Sequence, residues 1–246
     1  MNEDSGKRAA SDAVFEFTSN ETNNFMKLKN LFSSGFFRLG LLTLSTAFLA
    51  GCVNTVKIDG HFPAPVGDRV PLTVGLYFAP EFKSYTPVEV LYQRNDWKIH
   101  LGAASVQMFT QVFANLSNQV VVLKNKPSAG ATVKNVDLVV VPSFLDFGLL
   151  DPATSPLEFF SLSFKYKIDV FSPGGDLVAD WTINAYGKAP VYALGNKESV
   201  KEALIVALRD AAASLTLDFP RLPGVAGYVD RASGAIAQTR REANSE

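Results

Sequence analysis

The sequence is poor in the side chains on which most metal sites and many catalytic sites depend. Its 246 residues include one cysteine and two histidines. A single cysteine excludes an intramolecular disulfide and a zinc site closed by several thiolates. Charged residues make up only 19% of the chain, and 23 Lys and Arg face 24 Asp and Glu, for a net charge of −1. This balance argues against a nucleic-acid-binding protein, because phosphate neutralisation requires clustered basic residues.

The common catalytic signatures are missing as well. The chain has no Gly-x-Ser-x-Gly elbow, no Ser-x-x-Lys motif, no Walker A loop and no zinc-binding His pair. Asp146-Phe147-Gly148 spells the metal-binding tripeptide of kinases, but no glycine-rich or catalytic loop accompanies it, so we interpret it as a chance match. Asp146 and Asp151 form a candidate acid–base pair, although two acids five residues apart in a loop are ordinarily solvated charges. We therefore predict no enzyme activity, no cofactor and no metal.

The two histidines offer little more. His61 falls in a segment rich in proline and glycine, which is a poor place for a preorganised site, and His100 precedes a predicted helix. A hydrolase with an unrecognised site is the third of our function hypotheses. It would require a cleft that holds His100 or a carboxylate with a strongly perturbed pKa.

The clearest signal in the chain is a targeting segment at residues 26–52. Met26, Lys27 and Lys29 give a basic start, and residues 39–50 form an uncharged apolar run that ends in small residues. This layout is typical of a secretory signal peptide. The apolar run is too short for a transmembrane helix, which needs about 20 residues.

The end of this segment, Leu49-Ala50-Gly51-Cys52, resembles the lipobox of bacterial lipoproteins. The resemblance implies that the Cys52 thiol is joined to a diacylglyceryl group and that a signal peptidase cuts between Gly51 and Cys52. Two or more acyl chains anchor a protein stably to a membrane, whereas one chain holds it only marginally. An ordinary buried cysteine is the alternative, but it leaves the basic start and the apolar run unexplained.

The residues on either side of this segment refine the interpretation. Residues 1–25 carry two basic and five acidic side chains, which opposes the positive start of a signal peptide. They are either an over-extended start, with translation beginning at Met26, or an unstructured extension. Val53 follows the cysteine where an Asp would retain an enteric-type lipoprotein in the inner membrane. The resemblance therefore favours the outer membrane, with the folded domain in the periplasm.

The remaining chain divides into three parts by composition. Residues 52–71 are rich in proline and glycine and predict a tether. Residues 72–219 alternate apolar periodic segments with turns and predict a single domain. Residues 220–246 begin with two prolines and become small and polar, which predicts a mobile tail.

Periodicity predicts the elements of the domain. Residues 160–170 alternate apolar and polar side chains, and residues 177–187 do the same after a Ser-Pro-Gly-Gly turn, so the two predict a long antiparallel hairpin. Apolar residues at helical spacing predict one helix within 102–116 and a second from about Asn196 to Leu215. The complete order is strand, helix, four strands, helix.

This order predicts an α+β fold, in which two amphipathic helices cover one face of a mostly antiparallel sheet. The order and the lipobox together are similar to the auxiliary lipoproteins of envelope ABC transport systems and to related small outer-membrane lipoproteins. That resemblance implies a non-enzymatic role, either as an adaptor for an envelope complex or as a carrier of lipid. It carries no binding residue over to this chain.

Our first hypothesis is thus a lipid-anchored accessory or assembly factor with a protein partner in the envelope. The second is a binding module for lipid or another small ligand, in which Phe109, Phe113, Phe164 and Trp181 line an apolar pocket, although all four are first of all core candidates. The apolar loop at 148–158 offers a surface for a partner or lipid, with packing over the sheet as the alternative.

Overall fold

The computed structural model describes residues 54–58, 69–90, 96–152, 158–192 and 196–244. The chain divides into two units, Met1–Gly51 and Cys52–Glu246, and every described residue belongs to the second. Its strands are β1 (Asn54–Val56), β2 (Val70–Tyr77), β3 (Val88–Glu89), β4 (Trp97–Ile99), β5 (Ser117–Leu123), β6 (Leu138–Leu150), β7 (Phe159–Phe171) and β8 (Leu177–Pro190). Its helices are α1 (Pro80–Lys83), α2 (Leu101–Leu116), α3 (Asn196–Asp218) and α4 (Pro223–Ala243), with a 3₁₀ turn at Phe219–Arg221.

The main sheet has five strands in the order β5-β2-β6-β7-β8. The last three form an antiparallel meander, while β2 is parallel to both of its neighbours. The α+β class is confirmed, and the sheet is mixed rather than purely antiparallel, since most of its residue pairs are antiparallel and those of β2 are parallel. Because a helix lies between β2 and β5, the chain crosses over before it pairs again, and such a crossover produces a parallel pair.

The two predicted helices, α2 and α3, pack on the same face of this sheet, as expected. Their buried side chains form one apolar core with Val74, Leu76 and Val140 of the central strands. On the opposite face, Val139 and Val141 belong to a second, smaller cluster. The alternation of the two clusters along β6 follows from the pleat, which points successive side chains to opposite faces.

The antiparallel meander is the longest feature of the domain. β7 pairs with β8 from Phe159 opposite Pro190 to Phe171 opposite Leu177. We call these two positions the proximal end and the distal end of the sheet. A 13-residue strand rises about 3.3 Å per residue, so the two ends lie about 40 Å apart.

A second, small sheet has the order β1-β4-β3, and one of its strands, β1, lies in the segment predicted to be a tether. The segment 52–71 contains all of β1 and the first two residues of β2. Strands of two or three residues show no periodicity, so their pairing depends on residues distant in sequence. Val56 is fully buried, which joins this segment to the core.

The segment 220–246, predicted as a mobile tail, is mainly helical. Phe219 and Val225 are fully buried on either side of Pro223, which occupies the first turn of α4. Most of the side chains beyond Arg231 are exposed. Proline is well tolerated in a first helical turn, and the alanines that follow are strong helix formers. No helix within the described part of the chain is long and apolar enough to cross a membrane.

Candidate functional site

The predicted lipidation site lies outside the described residues. Gly51, Cys52 and Val53 precede Asn54, the first residue that the structure describes, and His61 also lies outside. The described element that follows Cys52 in the sequence is β1, which starts two residues after it.

β1 joins the domain near the proximal end of the main sheet. Asn54 pairs with Trp97 of β4, and its backbone N–H donates a hydrogen bond to the Asp96 carbonyl at 2.9 Å. The Trp97 ring meets the Phe160 ring edge to face, with 6.0 Å between centroids. Phe160 is the second residue of β7, directly after the proximal pair. The chain thus enters the fold at this end.

A groove of about 410 Å³ lies between β1 and the N-terminal turns of α3. We call it the basic groove, and its lining consists of Thr55, Val56, Lys57, Lys197, Glu198 and Lys201. Among the described residues of this lining, three are lysines and one is a glutamate. By contrast, residues 52–246 as a whole carry 18 Lys and Arg against 19 Asp and Glu. The basic groove is therefore a local concentration of positive charge on a nearly neutral domain.

A second groove, of about 600 Å³, continues along α3 from the first. It shares Glu198 and Lys201 with the basic groove and adds Tyr192, Glu202, Ile205 and Arg209. The Tyr192 hydroxyl donates a hydrogen bond to Glu202 at 2.5 Å, and this bond is the main reason why the pKa of Tyr192 is raised. The phenol is thus kept neutral beside the carboxylate.

His100 lies immediately before α2, as expected, but caps no backbone group with its side chain. Partial burial lowers its pKa, and the nearby positive charges of Lys57 and Lys98 lower it further. Its imidazole is therefore neutral at pH 7. Lys57 extends the positive field of the basic groove toward the start of α2.

The structure separates the two carboxylates that the sequence offers as a pair. Asp146 lies in the extended strand β6, and five residues of strand place Asp151 about 16 Å away. Asp151 is buried. Burial, together with the charge of Asp146, raises the pKa of Glu89, so Asp146 is instead close to β3. Sequence spacing does not reveal this proximity, because it depends on the small sheet.

The four side chains proposed to line an apolar pocket are part of the packed interior. Phe109, Phe113 and Phe164 are buried, and Phe109 meets the Tyr166 ring at 5.2 Å. Phe113 meets Phe219 at 5.0 Å, and Trp181 packs against the same ring at 6.4 Å. These rings contact protein on their apolar faces, as core residues do. The core alternative is the one that the geometry supports.

Other candidate residues have ordinary surroundings. On β7, Lys167 forms an ion pair with Asp169 at 3.2 Å, so its positive charge is partly neutralised. Within the predicted loop 148–158, residues 148–150 are the end of β6, and residues 153–157 lie outside the description. Among the described residues, no group of three or more His, Cys, Asp and Glu is arranged to hold a metal ion.

No protein-family model matches the chain, and no curated protein matches it. Several solved structures are similar in part. A Xanthomonas campestris protein of the DUF330 family shares 11% identity with a TM-score of 0.46, over 67% of this chain and 92% of that one. A minor lipoprotein from Acinetobacter baumannii shares 15% identity with a TM-score of 0.36, over 63% and 96%. Rare lipoprotein B from Shewanella oneidensis shares 12% identity with a TM-score of 0.30, over 70% and 98%. At these values the likenesses assign the chain to no family.

Proposed function

We propose that this protein is a lipid-anchored lipoprotein of the bacterial cell envelope that acts as a non-enzymatic accessory or assembly factor. The observation that carries the proposal is Leu49-Ala50-Gly51-Cys52, placed at the end of a basic and then apolar segment. Diacylglyceryl transfer to the Cys52 sulfur supplies two acyl chains, which hold the protein stably at a membrane. Val53 favours the outer membrane, with the domain in the periplasm.

The position of the first strand supports the same reading of the cysteine. β1 starts at Asn54, two residues after Cys52 in the sequence. Cleavage between Gly51 and Cys52 leaves β1 and all later elements intact. The absence of the common catalytic motifs supports a role in binding another envelope protein.

Incorporation of labelled palmitate tests the anchor. We expect the wild-type chain to incorporate the label and to migrate as the cleaved form, and the Cys52→Ala variant to do neither. Ser45→Ala, which changes the apolar segment but keeps the cysteine, is the matched control and should behave as wild type. Labelling of the Cys52→Ala variant would overturn the assignment, because this chain has no other cysteine.

Crosslinking in solubilised envelopes tests the accessory role. The lipidated protein should capture one dominant envelope complex, identified by mass spectrometry, that the Cys52→Ala variant loses. Density separation of the two membranes should recover the protein with the outer membrane. Capture of no specific complex would reject the accessory role while leaving the anchor in place.

A further inference from the structure

The proximal end of the domain combines β1, the described element that follows Cys52 in the sequence, with a basic, partly apolar surface. We propose that this end lies on the membrane that holds the anchor and that the basic groove contacts anionic phospholipid headgroups there. This inference rests on the proposed lipidation of Cys52. It adds an orientation of the domain, a surface and a ligand class to the proposed function.

The length of the connection is the first argument. An extended chain spans at most about 3.5 Å per residue, so Asn54 lies within about 7 Å of the Cys52 Cα. Thr55, which lines the basic groove, lies within about 11 Å of that atom by the same reckoning. A domain with so short a connection cannot stand away from the headgroups while β1 is paired. The pairing of β1 with β4 therefore determines which end faces the membrane.

Charge is the second argument. Lys57 follows β1, whereas Lys197 and Lys201 lie on α3, and the fold brings these distant segments into one groove whose described lining also includes Glu198. Lys188 lies near the same end, with its ammonium 5.5 Å from the centroid of the Phe159 ring. Lysines close to an anionic bilayer surface are each attracted to it by about 1 kcal/mol. The groove is thus complementary to phospholipid headgroups.

Exposed apolar residues at the same end are the third argument. Leu150 of β6 is 51% exposed, and Val191 and Tyr192, just after β8, are 48% and 37% exposed. Tyrosine favours the membrane interface, where its ring meets the acyl boundary and its hydroxyl stays hydrated. Apolar and basic side chains side by side fit a bilayer surface better than they fit bulk water.

The distal end provides an internal comparison. Lys126 lies there, with its ammonium 5.4 Å from the centroid of the Phe171 ring. Phe171 is the last residue of β7, about 40 Å from the proximal end. In the proposed orientation, a probe at position 126 stays clear of the bilayer while a probe at position 190, at the proximal end, touches it.

Headgroup quenching measures this orientation in the complete lipidated protein. Since the sulfur of Cys52 is blocked by the lipid, an introduced cysteine becomes the only free thiol. Pro190→Cys, at the exposed proximal end but outside the groove lining, and Lys126→Cys are each labelled with a fluorophore and reconstituted in vesicles of phosphatidylethanolamine and phosphatidylglycerol. A trace lipid in these vesicles carries a nitroxide on its headgroup. We expect severalfold stronger quenching at position 190 than at position 126.

The outcomes separate this inference from the proposed function. Intact mass of the purified protein is measured first, and a protein without acyl chains refutes the proposed function. With acyl chains present, equal quenching at the two positions, or stronger quenching at 126, overturns the proposed orientation.

Charge is tested in the same assay. With the probe at position 190, Lys57→Gln combined with Lys201→Gln should lower the ratio of membrane-bound to free orientations about fivefold per lysine, which weakens the quenching. The matched control, Lys124→Gln with Lys134→Gln, changes two exposed lysines outside the groove and should have no effect. Vesicles of phosphatidylcholine alone should remove the difference between the two variants. Equal quenching in both variants on the anionic vesicles would reject headgroup binding by the groove.

Discussion

Replacement of Gly187 with alanine should strongly destabilise the domain. Gly187 lies in β8 against α3, where an added Cβ would be 2.0 Å from the Ala203 carbonyl oxygen and 2.4 Å from the Ala207 backbone nitrogen. Real Cβ atoms essentially never approach other atoms closer than 3.0 Å. Helix and strand must therefore separate by about 1 Å, because both obstructing atoms are backbone and cannot rotate away.

The cost follows from the packing that this separation disturbs. Overpacking a core costs about 1–3 kcal/mol, and the backbone clash places this substitution at about 3 kcal/mol. For a domain of this size, such a loss lowers the melting temperature by about 6–12 °C. Both quantities can be read from thermal and urea unfolding of the purified protein.

Gly148→Ala is the matched control for this measurement. Gly148 also lies in a strand, but its added Cβ would meet only the Ser163 hydroxyl, at 3.4 Å. The entropy that alanine removes from the unfolded chain, about 0.4–1 kcal/mol, is common to both variants and cancels in their comparison. Equal stability of the two variants would refute the close approach of β8 and α3.

Three further predictions concern the interior. The Ser105 hydroxyl donates to the Leu101 carbonyl at 2.8 Å, so the Tyr166 hydroxyl must donate to Ser105, 2.6 Å away. Tyr166→Phe should therefore cost about 1 kcal/mol in unfolding free energy, and Ser105→Ala should cost more because it leaves a buried phenol without its acceptor. Burial raises the pKa of Tyr166 far above its ordinary value, outweighing the hydrogen bond. The unfolded state thus loses this proton first, and the unfolding free energy should fall by about 1.4 kcal/mol per pH unit above about pH 10, a slope that Tyr166→Phe should lack. Phe82→Ala, which removes a buried ring stacked 4.7 Å from Phe144, should cost about 3–5 kcal/mol, while the exposed neighbour change Glu81→Ala should stay within about 0.5 kcal/mol in the same urea titration.

The elements that the sequence predicts well are long and have one solvent-exposed face. Residues 160–170 alternate without interruption, and the structure extends that strand by one residue at each end, to Phe159–Phe171. The helix predicted within 102–116 begins one residue earlier, at Leu101. In both elements, the periodicity indicates which side chains are exposed to solvent, and this pattern can be read from residues close together in the sequence.

Elements that depend on distant partners are not visible in the same way. The parallel pairing of β2 with β6 joins Val74 to Leu138. A strand of three residues such as β1 gains its order from β4 rather than from its own pattern. Gly224, Gly227 and Gly234 weaken the helical signal of α4, which the buried Val225 joins to the core. The basic groove was missed for the same reason, since Lys57 and Lys197 are brought together only by tertiary structure.

The short strand β1 also determines how the domain bears mechanical load. If a bound partner pulls the domain away from the bilayer, tension passes from the acyl chains into β1, which is held by three residue pairs to β4. Because three residue pairs resist less than the thirteen-residue ladder between β7 and β8, we expect β1 to detach before the main sheet opens. Once β1 is released, the chain from Cys52 to Val70 spans up to about 60 Å. Detachment of β1 would thus lengthen the connection to the membrane while the five-stranded sheet stays folded.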